Sequence, residues 1–386
     1  MASSIKNPFI VMGKIPAELF CDREKETRKL IHSLTNGNNV VLISPRRMGK
    51  TGLIKHCYDD PSVCEAYYTF FVDILHTSNL REFTFNLGRS IYKELVPKGK
   101  RFAKGFIQAL KSLSGSISVD TLNGGPKFGV ELGEITHPEL TLEEIFTYLE
   151  RANKPCIMAI DEFQQITHYP EKNIEALLRG HIQQMQNCRF VFAGSERSIM
   201  TQMFSSAARP FYQSADTLEL NEIPFETYRA FVHRLYEDSH KKVDDDAIRY
   251  VYDLFKGHTF YMQKVFNEAF ANTSAHGTTD LALVNEAIDN ILHDKETTYM
   301  EILSALSEKQ KPLLYAIAAE EQASRLTSVA FVKKHGLLSA SAVQSAVKQL
   351  LAQNLITEVH KRYSVTDKFF ALWINHIYNE GAVVAL

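Results

Sequence analysis

An apolar run followed by a loop that ends in Gly-Lys-Thr sets the narrowest limits on how this chain folds. The run and the loop read Val40-Val41-Leu42-Ile43 and Ser44-Pro45-Arg46-Arg47-Met48-Gly49-Lys50-Thr51, and an apolar helical start follows at Gly52. A strand, loop and helix of this kind offers a triphosphate converging backbone N–H groups, a helix N-terminus, a lysine and a hydroxyl. We therefore expect the loop from Ser44 to Gly52 to cradle phosphate, with Lys50 on its oxygens and Thr51 on magnesium. Ser44 departs from the P-loop pattern, which has glycine there.

A second apolar run ends in two carboxylates. Cys156-Ile157-Met158-Ala159-Ile160 runs into Asp161 and Glu162, 110 residues after Thr51. A magnesium–nucleotide site needs one carboxylate beside the metal and, for hydrolysis, a second that orients or deprotonates the attacking water. We expect Asp161 to hold magnesium together with Thr51, and Glu162 to act on the water. Alone, the pair is equally typical of an acidic helix N-cap, so the preceding phosphate loop carries the interpretation.

A third predicted strand ends in small polar residues. Arg189-Phe190-Val191-Phe192-Ala193 leads into Gly194 and Ser195. Ligands of open α/β sheets lie beyond the carboxyl ends of the strands, so Ser195 is a candidate contact of the γ-phosphate or of the attacking water. Its hydroxyl is equally suited to cap the helix that follows.

Apolar runs alternate with amphipathic stretches over the first 220 residues, which is typical of a parallel sheet covered by helices. The five predicted strands are Val40–Ile43, Tyr68–Ile74, Cys156–Ile160, Arg189–Ala193 and Asp216–Leu220. A glycine-rich stretch predicts a hairpin-like insertion between the second and third strands, which we place at about residues 105–137. The fold class is therefore α/β, with a core domain over residues 1–220.

Beyond residue 220 the strand pattern stops. The four helices predicted next are Phe225–His240, Asp244–Lys256, Phe260–Ala271 and Asp280–His293, and they define a helical domain over residues 221–300. From Ser307 onward come a capping-box sequence, a helix that begins near Ser328 and ends at Gly336, a third helix, and two short strands around the basic turn His360-Lys361-Arg362. Three helices and a hairpin are typical of a winged helix, which we place at residues 301–386.

Composition argues against several classes of function. The chain of 386 residues carries 43 basic and 45 acidic side chains, so its net charge of −2 gives no overall attraction for nucleic acid. Five widely spaced cysteines without a CxxC pair argue against a disulfide framework or a zinc site. No apolar run approaches the roughly 20 residues of a membrane span, and the polar N-terminus lacks a signal-peptide core. We expect a cytoplasmic protein with no membrane partner.

Together these segments resemble the P-loop ATPases of the AAA+ and STAND type, and most of all the archaeal-type ATPase branch, which also occurs in bacteria. The resemblance rests on Phe20-Cys21-Asp22-Arg23-Glu24-Lys25-Glu26, Pro45 to Thr51, Ile160-Asp161-Glu162-Phe163, Gly194-Ser195 and Gly257-His258-Thr259-Phe260-Tyr261, although Thr259 stands where the lid motif of the family has proline. It implies a P-loop NTPase core whose five-stranded parallel sheet follows the order 5-1-4-3-2, then an α-helical lid and a C-terminal winged helix. It also implies ATP and Mg²⁺ as ligands, with Ser195 close to the γ-phosphate.

The resemblance adds further candidate residues. Arg23 and His258 are candidate nucleotide contacts, although a histidine at a helix end is often a capping group. Arg209 precedes Pro210 where related ATPases present an arginine finger to a neighbouring subunit, and Arg197 is a second candidate. A finger of this kind implies self-association.

The winged helix leaves the partner open. Residues 301–386 carry nine basic and seven acidic side chains, and the third helix offers only Lys348 as a cation, which is little for a DNA reader. Three functions remain: a magnesium-dependent ATPase that couples ATP binding and hydrolysis to domain rearrangement, a nucleotide-gated switch that recruits a protein partner, and an ATP-responsive DNA-binding regulator. Glu162 favours the first, because a pure binding module needs no carboxylate to position water.

Overall fold

The predicted strands pair as one parallel sheet in this computed structural model, which describes residues 7–113 and 135–379. The strands are β1 Val40–Ile43, β2 Tyr68–Asp73, β3 Cys156–Asp161, β4 Cys188–Gly194 and β5 Asp216–Glu219. Their order in the sheet is β2-β3-β4-β1-β5, which confirms the predicted order 5-1-4-3-2. β1 and β3 are buried along their whole length and β4 at all positions but one, as expected for parallel strands covered on both faces.

The register of the sheet brings three strand ends to one edge. Ile43 of β1 pairs with Gly194 of β4, and Ile160 of β3 pairs with Phe192 of β4. All three strands run in the same direction, so the residues that follow them leave the sheet side by side. The phosphate loop, the two carboxylates and Ser195 therefore begin next to one another.

The sheet belongs to a compact unit that spans Arg23–Asn221. Its helices are α1 Glu24–Thr35, α2 Lys50–Asp59, α3 Pro61–Cys64, α4 Leu80–Leu95, α5 Lys100–Ala109, α6 Pro138–Glu150, α7 Ile174–Gln184 and α8 Arg197–Ser205. Short 3₁₀ helices occupy Val96–Lys98, Lys111–Leu113 and Phe163–His168. The predicted hairpin insertion falls largely on residues 114–134, which lie outside the described residues.

A second compact unit combines Met1–Asp22 with Glu222–Leu386. Its helices are α9 Phe225–Glu237, α10 Asp245–Phe255, α11 Thr259–Asn272, α12 Leu281–Ser304, α13 Gln310–Ala319, α14 Val329–Lys334, α15 Ala340–Ala352 and α16 Lys368–Tyr378, with a 3₁₀ turn at Ala17–Leu19. Two short strands, β6 Lys242–Val243 and β7 Thr278–Thr279, pair in parallel. The strands β8 Ala323–Ser324, β9 Ile356–Val359 and β10 Arg362–Val365 form a sheet in the order β8-β10-β9, which with α13 to α16 completes the winged helix.

Local sequence signals set the ends of the winged-helix elements. Ser328 and Ser339 are N-caps whose side chains accept hydrogen bonds from the third residue of α14 and α15. Gly336 ends the α14 turn at φ +61°. The turn between β9 and β10 has positive φ at both His360 and Lys361, which matches the twist of a two-residue hairpin.

One hydrophobic core runs through the second unit. Phe255 of α10 and Tyr261 of α11 stack with centroids 5.5 Å apart, and the ring of Phe369 in α16 packs edge-on against both. Helix α12 continues without a break through the predicted domain boundary at residue 300. The helical segment and the winged helix are therefore joined by shared packing. Within the part of the chain that the structure describes, none of the helices combines the length and apolarity that crossing a membrane requires.

Candidate functional site: a phosphate loop beside paired carboxylates

The phosphate loop ends at a helix N-terminus that has no side-chain cap. Gly49 is the N-cap of α2 and has φ +95°, a backbone conformation that costs a glycine nothing. Arg47 also has a positive φ of 67°. With no side chain at Gly49 to accept a hydrogen bond, the first amides of α2 point outward from the helix end. This is the arrangement that binds phosphate in proteins.

Lys50 lies inside the site. Its side chain is 6% exposed, and Nζ donates to the carbonyl oxygen of Ser44 at 3.2 Å. The same Nζ lies 3.7 Å from Glu162 Oε1. The ammonium group is thus held across the loop between a backbone oxygen and a carboxylate, in position to meet further negative charge.

Thr51 and Asp161 are already bonded to each other. Thr51 Oγ1 donates to Asp161 Oδ2 at 2.8 Å. Burial raises the pKa of Asp161, while Lys50 and the Thr51 hydroxyl act in the opposite direction. A hydroxyl and a carboxylate side by side are the oxygen donors that Mg²⁺ takes from a protein when phosphates supply the rest, so the two residues fit the metal that the resemblance implies.

Glu162 is fixed by its backbone and by hydrogen bonds. The residue adopts a left-handed conformation with φ 55° and ψ 42° between β3 and the 3₁₀ helix. Its Oε2 accepts from Ser195 Oγ at 2.5 Å and from Gln164 Nε2 at 2.6 Å. Burial opposes ionisation, but Lys50, Ser195 and Gln164 together hold the pKa of the Glu162 carboxyl below its usual value. Glu162 is therefore an ionised carboxylate with an enforced orientation.

The other residues of the loop differ in whether they face the site, the solvent or the core. The side chain of Arg46 is half-buried and donates from Nε to Ser195 Oγ at 3.3 Å. Pro45 and Arg47 are exposed and Gly52 is half-buried, whereas Met48 is only 2% exposed and packs into the interior. The structure thus brings Arg46, Lys50, Thr51, Asp161, Glu162 and Ser195 together.

The predicted arginine fingers are engaged elsewhere in the unit. Arg209 donates to both carboxylate oxygens of Glu175 in α7, through Nε at 3.1 Å and through Nη2. Arg197 donates from Nη2 alone to both carboxylate oxygens of Glu219, at 2.8 and 2.7 Å. Neither partner could be read from the sequence, because Glu175 and Glu219 lie 34 and 22 residues from the arginines they bind.

Arg23 and His258 have protein partners of their own. Arg23 is 4% exposed and donates to Glu26 Oε1 at 2.9 Å and to the carbonyl oxygen of Asn221 at 2.7 Å. His258 belongs to the other unit, where Nδ1 lies 2.9 Å from the carbonyl oxygen of Phe255 and burial lowers the pKa of the ring. As candidate nucleotide contacts, both remain predictions.

The sequence did not predict two residues that lie in the site. Gln164 bonds Glu162 directly, yet a glutamine two positions after a carboxylate carries no pattern by itself. Asp73 ends β2 opposite Asp161 in the register, and its charge adds to the causes that raise the pKa of Asp161. The sequence did hold a signal for Asp73, since it is a carboxylate at the end of a predicted strand and such ends meet at the ligand edge.

The fold and this constellation define a P-loop ATPase, and comparison with known proteins gives the family. The chain belongs to the family described as "ATPase domain predominantly from Archaea", whose model matches residues 20–265. A second model, described as "Probable winged helix domain", matches residues 297–376. An uncharacterized ATP-binding protein of Methanocaldococcus jannaschii is 27% identical over 158 residues, which are 38% of this chain and 43% of that protein. The chain therefore aligns with less than half of that relative's length.

Solved structures share the fold across nearly the whole chain. The Walker-type ATPase of Pyrococcus abyssi has a TM-score of 0.62 at 19% identity, with 95% of this chain and 99% of that one covered. The ORC2 protein of Aeropyrum pernix, solved with ADPNP and ADP, has a TM-score of 0.57 at 14% identity, with 97% of each chain covered. The ORC1 protein of the same organism, solved in complex with DNA, has a TM-score of 0.52 at 13% identity and covers 96% of this chain and 97% of its own. At these identities the similarity establishes the architecture alone.

Proposed function

We propose that this protein hydrolyses Mg-ATP and couples the nucleotide cycle to a rearrangement of its two units. The observation that carries the proposal is the Glu162 carboxylate, which is ionised, buried and aimed by two hydrogen bonds. A protein that only binds nucleotide gains nothing from a buried charge in this position, since burying a charge is costly. A carboxylate that orients water and accepts its proton has to be ionised and held in a fixed direction.

Each remaining residue has a part in this reaction. Lys50 and the amides at the start of α2 bind the phosphates, and Arg46 and Ser195 form the polar wall beside Glu162. Thr51 and Asp161 would hold Mg²⁺, which neutralises charge on the phosphates when bound. Glu162 orients the attacking water and accepts its proton.

The connection between the units supports the proposed rearrangement. The chain passes from one unit to the other at residues 22–23 and again at residues 221–222. At the P-loop side of both passages, the Arg23 guanidinium donates to the carbonyl oxygen of Asn221. Asp22 and Arg23 both have positive φ, so two successive residues at the first passage have a left-handed backbone. We propose that the units turn about this pair of connections.

The test compares wild type with Glu162→Gln, which keeps the size of the side chain and its capacity to accept hydrogen bonds. Wild type is expected to release phosphate from Mg-ATP at steady state. The variant is expected to bind ATP with similar affinity and to release phosphate ~10²- to 10⁴-fold more slowly. If wild type retains ATP and releases no phosphate, hydrolysis is excluded and a nucleotide-gated switch takes its place.

The winged helix favours a protein partner over DNA. Val329 is 84% exposed and, with Val332 and Leu337, lines a shallow groove beside the α14–α15 turn. Leu338, in the turn itself, is 75% exposed. Exposed apolar side chains of this kind mark contacts with proteins more often than contacts with phosphates. Retention on duplex DNA in 50 mM salt that disappears in 200 mM salt would instead support the DNA-binding alternative, since such loss follows from about six or more phosphate contacts.

A further inference from the structure

Both hydrogen bonds to the Glu162 carboxylate fall on the same oxygen. Oε2 accepts from Ser195 Oγ and from Gln164 Nε2, whereas Oε1 lies 3.7 Å from Lys50 Nζ. Two donors on one oxygen fix the plane of a carboxylate. They leave Oε1 as the oxygen that is directed toward the lysine and the phosphate loop.

Gln164 gives up hydrogen bonding of its own to make this contact. The residue is 1% exposed, and its Oε1 is buried without a hydrogen-bond partner among the described residues. Buried amides usually satisfy both their polar atoms. The reverse orientation of the amide would place oxygen against the carboxylate of Glu162, so the acceptor at Glu162 sets the orientation of Gln164.

The surroundings hold Gln164 in place. Phe163, between the two partners in sequence, is fully buried and its ring packs 4.6 Å from the ring of Phe192 and 5.3 Å from that of Phe211. On the other side, a Cβ atom at Gly194 would lie 2.6 Å from Gln164 Oε1. A larger residue at position 194 would therefore displace the amide, and glycine leaves the space that it occupies.

We propose that Gln164 is a positioning residue for ATP hydrolysis, which holds the Glu162 carboxylate so that Oε1 addresses the attacking water. This inference rests on the proposed function. Gln164 does not touch nucleotide or water in the reaction, and it acts only through Glu162.

The test is Gln164→Met, which keeps the length of the side chain and removes the amide donor. The turnover number for Mg-ATP is expected to fall about 10- to 100-fold, because a misplaced catalytic group loses rate in this range. ATP affinity is expected to stay within about twofold of wild type, since the phosphate ligands are unchanged. The matched control is Gln165→Met, because Gln165 lies in the same 3₁₀ helix but donates to the carbonyl oxygen of Thr77 at 2.9 Å. That control should retain wild-type turnover.

A double variant separates positioning from general damage to the fold. In a Glu162→Gln background, Gln164→Met is expected to change the residual turnover by less than about twofold, because both substitutions remove the same contribution. An equal loss in the two backgrounds, or a loss of ATP affinity as large as the loss of turnover, overturns the inference. So does a Gln164→Met variant with wild-type turnover.

A second measurement keeps this inference separate from the proposed function. If wild type binds Mg-ATP without turnover, the proposed hydrolysis is wrong. Hydrogen exchange of the Gln164 side-chain amide then tests the contact between Gln164 and Glu162 by itself. Its NMR resonance is identified by its absence in Gln164→Met. If the Gln164 side-chain amide exchanges at least about tenfold faster in Glu162→Leu than in wild type, its hydrogen bond to Glu162 is supported. Equal exchange rates in the two proteins contradict that hydrogen bond.

Discussion

Single residues in this protein are fixed by what lies within a few ångströms of them, and Gly194 shows this most clearly. The residue ends β4 at the ligand edge of the sheet, where a Cβ atom would lie 2.5 Å from Met200 Sδ and 2.6 Å from Gln164 Oε1. Gly194→Ala is expected to lower the free energy of unfolding by about 1–3 kcal/mol, because side chains from two elements must move. Chemical denaturation of both proteins measures the difference.

A second glycine provides the control for that substitution. Gly180 lies within α7, and a Cβ atom there meets nothing within 4 Å. Gly180→Ala should raise the free energy of unfolding by about 0.4–1 kcal/mol, since alanine restricts the unfolded chain and favours helix. If both substitutions destabilise equally, the crowding at Gly194 is not the cause.

The sequence predicted which residues carry the chemistry of the site better than it predicted their contacts. Lys50, Thr51, Asp161 and Glu162 follow from short-range patterns, because a strand, a loop and a helix place them at one sheet edge. Gln164 does not follow, since its role depends on the left-handed turn at Glu162 that points both side chains at each other. Pairings such as Arg209 with Glu175 require the tertiary structure.

Helices of the winged helix depend on side chains that cap their N-termini. Ser339 is the N-cap of α15, and its side chain accepts a hydrogen bond from the backbone N–H of Ala342 at 3.2 Å. Ser339→Ala is expected to cost about 1 kcal/mol of unfolding free energy, because that amide loses its partner. Thermal and denaturant unfolding, followed by circular dichroism, measure the loss.

The matched substitution lies in the same helix. Ser345 is exposed in the middle of α15, where its hydroxyl caps nothing and alanine has the higher helix propensity. Ser345→Ala should therefore leave stability unchanged or raise it slightly. A loss at position 345 as large as that at position 339 would contradict the capping role.

Most elements with a strong repeating pattern were predicted within three residues at each end, and the larger misses have physical causes. Strand β4 was predicted as Arg189–Ala193 and spans Cys188–Gly194. Helix α12 was predicted to end at His293 but runs to Ser304, because Tyr299 and Leu303 continue its buried face beyond a polar turn. The two-residue strands β6, β7 and β8 were not predicted, since two residues show no periodicity.

An arginine finger would have to come from a second copy of the chain, and Arg209 is the first candidate. In the isolated chain the side chain of Arg209 is 29% exposed, and its guanidinium donates twice to Glu175, whose side chain is 12% exposed. Such a pair braces the segment before β5 against α7. Arg209 can reach a nucleotide of a neighbouring copy only if it leaves Glu175. Its ion pair with Glu175 and a role as arginine finger therefore exclude each other at any one time.

Mixing two inactive variants distinguishes these states. An Arg209→Ala chain keeps Glu162 but offers no finger, and a Glu162→Gln chain keeps Arg209 but cannot activate water. Alone, Arg209→Ala is expected to lose ~10³-fold or more in turnover, the range that arginine fingers contribute. Mixed in equal amounts in a head-to-tail assembly, about a quarter of the sites combine an intact Glu162 with a neighbouring Arg209, so turnover should recover to that fraction.

The controls decide which arginine acts and whether the effect is structural. Arg197→Ala removes the second candidate finger, whose pair with Glu219 is 42% and 36% exposed and contributes little to stability. If Arg197→Ala loses turnover and recovers it on mixing with Glu162→Gln, and Arg209→Ala shows no such recovery, Arg197 is the finger. If Arg209→Ala and Glu175→Gln lose the same unfolding free energy and mixing restores nothing, Arg209 serves only as a brace. If mixing Arg209→Ala with Glu162→Gln restores turnover, and both chains are as stable as wild type, one copy must complete the site of another.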